Sequence, residues 1–96
     1  MSRSRSNSAE KADYSLATTR SFLRDLSKLD RANIRRILRA VEGLKSDAYL
    51  GKNLRGQLEG FRSLRVGDFR VIYTIEEQDR TVTLRAVGHR RLIYRP

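Results

Sequence analysis

The feature that most constrains this chain is a Gly-Asp pair, Gly67-Asp68, between two runs in which apolar and polar residues alternate. The runs cover residues 61–66 and 69–76, and alternation with a period of two is typical of strands with one buried face. A two-residue Gly-Asp connection between such runs is a signal for a tight antiparallel hairpin. The sequence therefore predicts a β-hairpin whose register is set by its turn.

The two-residue turn fixes which residues of this hairpin face each other. Arg65 is predicted to lie directly opposite Arg70. The apolar residues then share the other face, which we expect to pack on helices: Leu64, Val66, Phe69, Val71, Tyr73 and Ile75. Like charges directly opposite each other destabilise a sheet by a fraction of a kcal/mol. A face covered by water or by an anion tolerates such a pair, whereas a packed core does not. The alternative interpretation is that Arg65 and Arg70 are two ordinary surface arginines that point apart into solvent.

Two helices are predicted ahead of the hairpin. Residues 14–18 alternate as a short strand, after which Thr18 or Thr19 can cap a first helix. Asp30 can cap a second helix that ends near Gly43. Apolar residues recur at helical spacing in both helices: Phe22, Leu23, Leu26 and Leu29, then Ile34, Ile37, Leu38 and Val41. On the opposite side of the second helix, Arg31, Arg35 and Arg39 are interpreted as a solvated face.

The whole pattern predicts an α+β fold. Residues 44–60 are expected to form a connecting loop, and Thr81–Gly88 a third strand that pairs with the second hairpin strand. The elements are an N-terminal strand, an antiparallel helix hairpin and a three-stranded antiparallel meander. We expect them to form one antiparallel sheet with both helices on one face.

Composition excludes several classes of function. The chain has no Cys and a single His, His89, so the sequence predicts no disulfide, no thiol catalysis and no metal site. No apolar run approaches the roughly 20 residues of a membrane span, and we expect no membrane partner, no cofactor and a cytoplasmic location. Residues 1–12 are predicted to form a disordered basic tail, and residues 13–96 a single domain.

Arginine dominates the charge of the chain. Lys and Arg number 21 against 11 Asp and Glu, which gives a net charge of +10. Arginine binds phosphate in two-point contacts that lysine cannot make. The first partner to consider is therefore a polyanion, or an acidic protein that covers the same surface. One basic patch, Lys52–Gly56, lies in the loop ahead of the sheet.

A second cluster of basic and aromatic residues lies at the C-terminus. The third strand ends in a His-Arg-Arg segment, residues 89–91, and Tyr94 follows. Because the end of this strand pairs with the start of the second hairpin strand, we expect either His89 or Arg90 to approach Arg65 and Arg70. Arginines in such a cluster bind phosphates, a tyrosine ring stacks on a base, and a histidine beside them can move a proton near neutral pH.

Two segments together resemble the RelE/ParE superfamily of toxins from toxin–antitoxin systems. They are Leu64–Tyr73, LRVGDFRVIY, and Val87–Tyr94, VGHRRLIY. The loop segments Lys52–Gly56 and Leu58–Gly60 resemble the same family ahead of its sheet. The resemblance spans residues 14–96 and implies a RelE-like fold similar to that of microbial ribonucleases.

The resemblance to the RelE branch implies a toxin that cuts mRNA in the decoding site of the ribosome. In that branch the 2′-OH attacks the adjacent phosphate without a metal ion and leaves a cyclic phosphate and a 5′-OH. The implied partners are the ribosome with bound mRNA and a cognate RelB-like antitoxin that inhibits the toxin. Such antitoxins are acidic where they contact the toxin, which suits a net charge of +10.

The resemblance also implies roles for individual residues. Arg70 matches the strand arginine that holds the phosphate, and Arg90 the C-terminal arginine that stabilises the phosphate or the leaving group. Tyr94 matches a tyrosine that stacks on the base, and Arg65 occupies a basic site on the first hairpin strand. The predicted catalytic residues are Arg65, Arg70, His89, Arg90 and Tyr94. The predicted RNA- or ribosome-binding residues are Lys52, Arg55, Arg62, Arg85, Arg91 and Arg95.

The proton acceptor departs from the family pattern. The best-known bacterial form has two lysines on the first hairpin strand, one of them a candidate base, where this chain has Ser63 and Arg65. Arginine keeps its proton and is a poor general base. The acceptor is therefore expected to be His89 or Tyr94, or the substrate is activated mostly by positioning.

Two other functions are compatible with the sequence. A ParE-like toxin would bind and inhibit DNA gyrase without chemistry of its own, and the missing lysines keep that interpretation open. A plain basic nucleic-acid-binding domain is the third, although no helix-turn-helix or RNA-binding aromatic strand motif is present. The combination of arginines, His89 and Tyr94 favours the ribonuclease, because gyrase inhibition has no evident need for it.

Overall fold

The computed structural model describes residues 13–93. The predicted tail, residues 1–12, and two predicted site residues, Tyr94 and Arg95, lie outside this range. The described part is a mixed α+β fold, as predicted. Its elements are β1 Ser15–Thr18, α1 Arg20–Ser27, α2 Arg31–Glu42, β2 Lys52–Asn53, β3 Arg62–Val66, β4 Phe69–Glu76, β5 Thr81–His89 and α3 Arg90–Ile93.

The strands form one five-stranded sheet in the order β1-β5-β4-β3-β2. The predicted meander β3-β4-β5 is antiparallel, but β1 pairs in parallel with β5, with Ser15 opposite Thr81. The expectation of a wholly antiparallel sheet was therefore wrong for β1. The partner of β1 is β5, the last strand of the meander, which follows the helices in the chain and runs in the same direction as β1. The short strand β2 was not predicted, since two residues in a glycine-rich loop show no periodicity.

Helices α1 and α2 begin at predicted caps. The Thr19 side chain accepts a hydrogen bond from the Phe22 amide at 3.1 Å, so Thr19 rather than Thr18 is the cap. The Asp30 carboxylate accepts from the Asn33 amide at 2.9 Å. These side chains satisfy amides that the first turn of a helix leaves without a partner, and they explain why each helix begins where it does.

The core lies between the helices and one face of the sheet. Phe22 of α1, Ile37 of α2 and Val71, Tyr73 and Val82 of the sheet have no exposed surface. Burying side chains of this size contributes about 1.5–3 kcal/mol each. Phe69 and Ile75 pack against the same cluster. The predicted apolar face of the hairpin therefore does face the helices.

A β-bulge on β5 changes which residues share a face. Ile72 pairs with Ala86 but Tyr73 pairs with Leu84, so Arg85 is an extra residue on β5. Helix α1 holds the bulge in place: the Thr19 hydroxyl donates to the backbone oxygens of Leu84 and Arg85 at 3.3 and 3.2 Å.

Beyond the bulge the alternation of β5 is shifted by one residue. Leu84 and Val87, three positions apart, are both buried in the core. The Val87 amide donates to the Asp25 carboxylate of α1 at 3.1 Å, which fixes the shifted register. As a result Gly88 lies opposite Arg70, and His89 lies opposite Phe69.

A buried tyrosine fastens the loop between α2 and β2 to the sheet. The Tyr73 hydroxyl donates to the Ala48 carbonyl at 2.8 Å and accepts from the Gly51 amide at 2.9 Å. Burial raises the pKa of Tyr73, which keeps the hydroxyl protonated and able to donate. Arg62 adds a second fastening, because its guanidinium donates to the Gly51 carbonyl at 2.6 Å.

We predict that Gly51→Ala lowers the free energy of unfolding by about 1–3 kcal/mol, the usual cost of overpacking. A Cβ at Gly51 would lie 2.5 Å from the Tyr73 hydroxyl and 2.9 Å from the Ser63 carbonyl oxygen. The control is Gly43→Ala, because Gly43 has a helical φ of −64° and nothing within 4 Å of its Cβ position. Urea unfolding should show a stability gain of about 0.4–1 kcal/mol for this control. Equal changes in the free energy of unfolding for Gly51→Ala and Gly43→Ala would contradict the role of Tyr73 in holding the loop to the sheet.

Candidate nucleic-acid interface

A groove of about 850 Å³ lies between the loop that contains β2 and the sheet face that points away from the helices. Its floor includes Ser63, Arg65 and Arg70, which alternate along β3 and β4 with residues of the core. Lys52 lies on the same side, since it pairs with Ser63, and Arg55 completes the rim. Among the residues that the structure describes, four cationic side chains and no carboxylate line this groove, so it attracts anions.

Arg65 and Arg70 lie directly opposite each other, as the turn predicted. Arg65 is exposed, and its Nε donates to the Gly67 carbonyl at 3.3 Å. Arg70 is half-buried between Arg65 on one side and Gly88 on the other. Two arginines and a glycine in a row give an open surface with concentrated positive charge, where a phosphate can be held by several donors.

His89 lies on the other face of the sheet. Its ring contacts Phe69 edge-on, with 6.1 Å between ring centroids, and Phe69 packs against the core. Its Nδ1 accepts a hydrogen bond from the Arg91 amide at 3.2 Å. Of the two residues expected to approach Arg65 and Arg70, His89 is therefore not the one that shares their face. The bulge is the reason, because an unbroken alternation would have placed His89 on the arginine face.

Arg90 and Arg91 form the start of α3 at the tip of the β3–β4 hairpin. The Arg90 amide donates to the Asp68 carbonyl in the hairpin turn at 2.9 Å, which ties the end of β5 to that turn. Both arginine side chains are exposed. Arg90 is thus brought to the same end of the sheet as Arg65 and Arg70.

Two other predicted RNA-binding arginines contact the protein itself. The Arg62 guanidinium donates to the backbone of the fastened loop and lies 5.0 Å from the centre of the Tyr49 ring. The Arg85 Nε donates to the Thr74 hydroxyl at 2.8 Å, and its Nη2 lies 3.7 Å from the Glu76 carboxylate. Neither lines the groove, so the structure gives both arginines an intramolecular role.

Comparison with known proteins shows the family of this chain. The family "ParE toxin of type II toxin-antitoxin system, parDE" matches residues 16–94. The toxin RelE of Mycobacterium tuberculosis is 36% identical over 84 residues, which are 85% of this chain and 87% of the relative. The toxin RelG of the same organism is 33% identical over 84 residues, which are 85% of this chain and 97% of that relative. This chain belongs to the ParE toxin family of type II toxin–antitoxin systems.

Solved structures share the fold of this toxin. In the RelBE2 toxin–antitoxin complex of M. tuberculosis, a chain that is 32% identical superposes with a TM-score of 0.76 over 82% of this toxin and 93% of that chain. A chain of the chromosomal ParDE system of Pseudomonas aeruginosa, 16% identical, has a TM-score of 0.67 over 81% and 97%. The second likeness shows the fold alone, so the fold is common to systems named RelE and ParE.

Three leucines that the sequence analysis did not single out form the apolar wall of the toxin's groove. They are Leu50, Leu54 and Leu58, and Leu50 is 55% exposed. Their spacing of four residues in the loop between α2 and β3 was the available signal. An apolar wall beside cations suits a nucleotide, whose base is apolar on its faces and whose phosphate is charged.

The remaining features of the toxin bear on cofactors and membranes. Among residues 13–93, no group of three or more His, Cys, Asp or Glu side chains is placed to hold a metal ion. No helix in the same range is long and apolar enough to span a membrane.

The one carboxylate of β4 and β5, that of Glu76, lies at the far end of β4 from Arg70. Glu76 accepts hydrogen bonds from the hydroxyls of Thr83 at 2.6 Å and Thr74 at 2.9 Å. The Thr83 bond is the largest reason why the pKa of Glu76 is lowered, and the Thr74 bond and nearby Arg85 lower it further. Glu76 therefore stays ionised and bound to its neighbours, away from Arg70.

We predict that Glu76 contributes stability that is lost in acid. Because folding lowers its pKa below the ordinary 4.5, this contribution is present above that pH and disappears as the pH falls through the lowered value. The stability difference between the wild type and Glu76→Gln, measured by urea unfolding from neutral pH to about pH 3, should shrink toward acid. Glu59→Gln, on the exposed loop, is the control; a pH-independent difference for Glu76→Gln would contradict the prediction.

Proposed function

We propose that this toxin is a ribosome-dependent endoribonuclease that cleaves mRNA in the decoding site. The observation that carries the proposal is the groove in which Arg65 and Arg70 face each other beside Lys52 and Arg55, with no carboxylate among the lining residues of the described range 13–93. A single strand of RNA brings one negative charge per nucleotide and an apolar base, which the cations and the leucine wall of this groove both complement. The similarity to a toxin named RelE supports a RelE-like toxin.

The proposed reaction needs no group beyond the protein and the RNA. The 2′-oxygen forms a bond to the adjacent phosphorus, the bond from phosphorus to the 5′-oxygen breaks, and a cyclic phosphate and a 5′-OH result. One proton leaves the 2′-OH and one is delivered to the departing oxygen. Arg70 and Arg65 stabilise the charge that builds on the phosphate, and Arg90 stabilises the departing oxygen from the hairpin tip.

The geometry changes the proposed role of His89. Its Nδ1 accepts the Arg91 amide and its ring contacts Phe69, so we assign it to positioning the segment that carries Arg90. Tyr94 then becomes the candidate for proton transfer or base stacking. Much of the acceleration is assigned to positioning, because a reactant held in attack geometry can gain several kcal/mol.

An open groove explains why the ribosome is needed. The groove is bounded by a sheet face and one loop, so the protein by itself leaves much of an RNA strand unconstrained. The ribosome would hold the mRNA in the geometry required for attack. Primer extension after translation in vitro with the purified toxin tests the proposal. Cuts within ribosome-bound codons and little cleavage of naked RNA are expected; equal cleavage of both would contradict the ribosome dependence.

A partner antitoxin is also proposed. Relatives of this fold are found in RelBE complexes, and 21 basic against 11 acidic residues give this toxin a surface that an acidic, RelB-like protein would complement. Both proposed partners place the toxin in the cytoplasm.

Inhibition of DNA gyrase is the second candidate function. It is favoured by the match of residues 16–94 to the family named ParE toxin and by the missing lysines of the hairpin strand. A gyrase supercoiling assay separates the two: inhibition of supercoiling together with intact mRNA during translation would replace the ribonuclease proposal.

For the ribonuclease, we predict that Arg70→Ala and Arg90→Ala each slow single-turnover cleavage by roughly two to three orders of magnitude, the scale for losing one charge-stabilising group. Binding of the ribosome should weaken much less, since other arginines remain. Arg31→Ala, an exposed arginine of α2, is the control. A loss confined to binding would contradict the assignment of Arg70 and Arg90 to the transition state.

We also predict that His89→Gln slows cleavage only modestly and leaves its pH profile superimposable on that of the wild type. The reason is that the imidazole lies across the sheet from Arg65 and Arg70. Single-turnover rates across neutral pH are the measurement. A profile that flattens in the variant would return His89 to proton transfer.

A further inference from the structure

Two guanidinium groups converge on Gly67 in the hairpin turn. Arg36 of α2 approaches from the helix side, with its Nη2 atom 2.7 Å from the position a Cβ of Gly67 would occupy. Arg65 approaches from the groove side, with its Nε 3.3 Å from the Gly67 carbonyl oxygen. The hairpin tip thus joins the groove to the helix layer through arginine side chains.

The backbone of Gly67 leaves room for Arg36. Its φ of +62° is left-handed, which Asn or Asp also tolerates. A Cβ at this position would lie 2.7 Å from the Arg36 Nη2 atom, so the end of the flexible Arg36 side chain would have to move aside. The missing side chain therefore leaves the space in which Arg36 reaches the tip.

No carboxylate in the described part of the chain neutralises Arg36 or Arg65. Within residues 13–93 neither side chain forms an ion pair, although Asp68 is the next residue after Gly67. Both side chains are exposed. Two like charges held at one glycine repel each other unless an anion is placed with them.

We propose that Arg36 and Arg65 bind one phosphate of the RNA strand at the hairpin tip, beyond the phosphate held in the groove. This inference rests on the proposed function and adds a residue of α2 to its RNA-binding surface. Each guanidinium presents a fork of donors that matches phosphate oxygens. Together they would hold a phosphodiester from two sides.

An RNA phosphate is favoured over a carboxylate of a protein partner. Arg65 belongs both to the groove lining and to the tip, so an anion at the tip continues the track of the groove. Consecutive phosphates of one strand supply charge along such a track at every nucleotide, whereas a peptide would need a run of acidic residues in the matching register.

The test uses the folded toxin and a single-stranded 2′-O-methyl RNA, which binds but cannot be cleaved by 2′-OH attack. We expect Arg36→Ala to weaken binding about tenfold at low salt. The slope of log affinity against log salt should fall by about 0.7, the value for one phosphate contact on a single strand. Arg35→Ala, a neighbouring exposed arginine of the same helix, is the matched control and should change the slope much less.

A second experiment identifies which phosphate of the RNA contacts Arg36. Replacing single phosphates of the oligonucleotide by neutral methylphosphonates should reveal one position that weakens binding to the wild type but not to Arg36→Ala, a coupling that a general charge effect does not produce. Arg36→Lys should keep part of the affinity.

Several results would overturn the proposal that Arg36 and Arg65 bind one phosphate. Equal slopes for Arg36→Ala and Arg35→Ala would reduce it to general electrostatics. Unchanged RNA binding with weaker binding of the cognate antitoxin would assign the tip to the antitoxin. If the expected slopes are found but translated mRNA stays intact, the phosphate site stands and the proposed cleavage fails. If the wild type does not bind the RNA, the phosphate site fails, and the proposed cleavage is judged by primer extension on translated mRNA.

Discussion

Two arginines that face each other across a hairpin are the constraint on which the rest of this structure depends. The turn at Gly67-Asp68 fixes Arg65 opposite Arg70, and this placement is unfavourable for a sheet on its own. The apolar face of the same strands is committed to the core, so the arginine pair must lie on the opposite face. The groove, the surrounding loop and the distribution of carboxylates are all consistent with a surface that is completed by an anion.

Three local devices shape that surface. The Tyr73 hydroxyl, held between Ala48 and Gly51, fastens the loop that brings Lys52 and Arg55 over the arginine pair. The bulge on β5 places a glycine beside Arg70 and turns the neighbouring histidine to the core side. The Thr83 and Thr74 hydroxyls keep a carboxylate at the far end of the sheet. Each device uses residues outside the groove to control what lines it.

The sequence predicted those parts of the fold that depend on near neighbours in the chain. The hairpin register, its buried face and the caps at Thr19 and Asp30 follow from turn chemistry and periodicity, and all are present. The parallel pairing of β1, the bulge and the Tyr73 fastening depend on contacts between distant segments, which periodicity does not record. The same limit hid the approach of Arg36 to Gly67, and it explains why the sequence left open whether His89 or Arg90 lies near the arginine pair.

The central claim is that the Arg65–Arg70 pair is maintained for anion binding at the expense of stability. Urea unfolding of the wild type and of Arg65→Gln, with and without a single-stranded 2′-O-methyl RNA, tests it most directly. The account predicts that the variant without RNA is at least as stable as the wild type, with a gain of up to about 1 kcal/mol. RNA should then stabilise the wild type much more than the variant. A variant that is less stable without RNA, or equal stabilisation of both proteins by RNA, would contradict the claim.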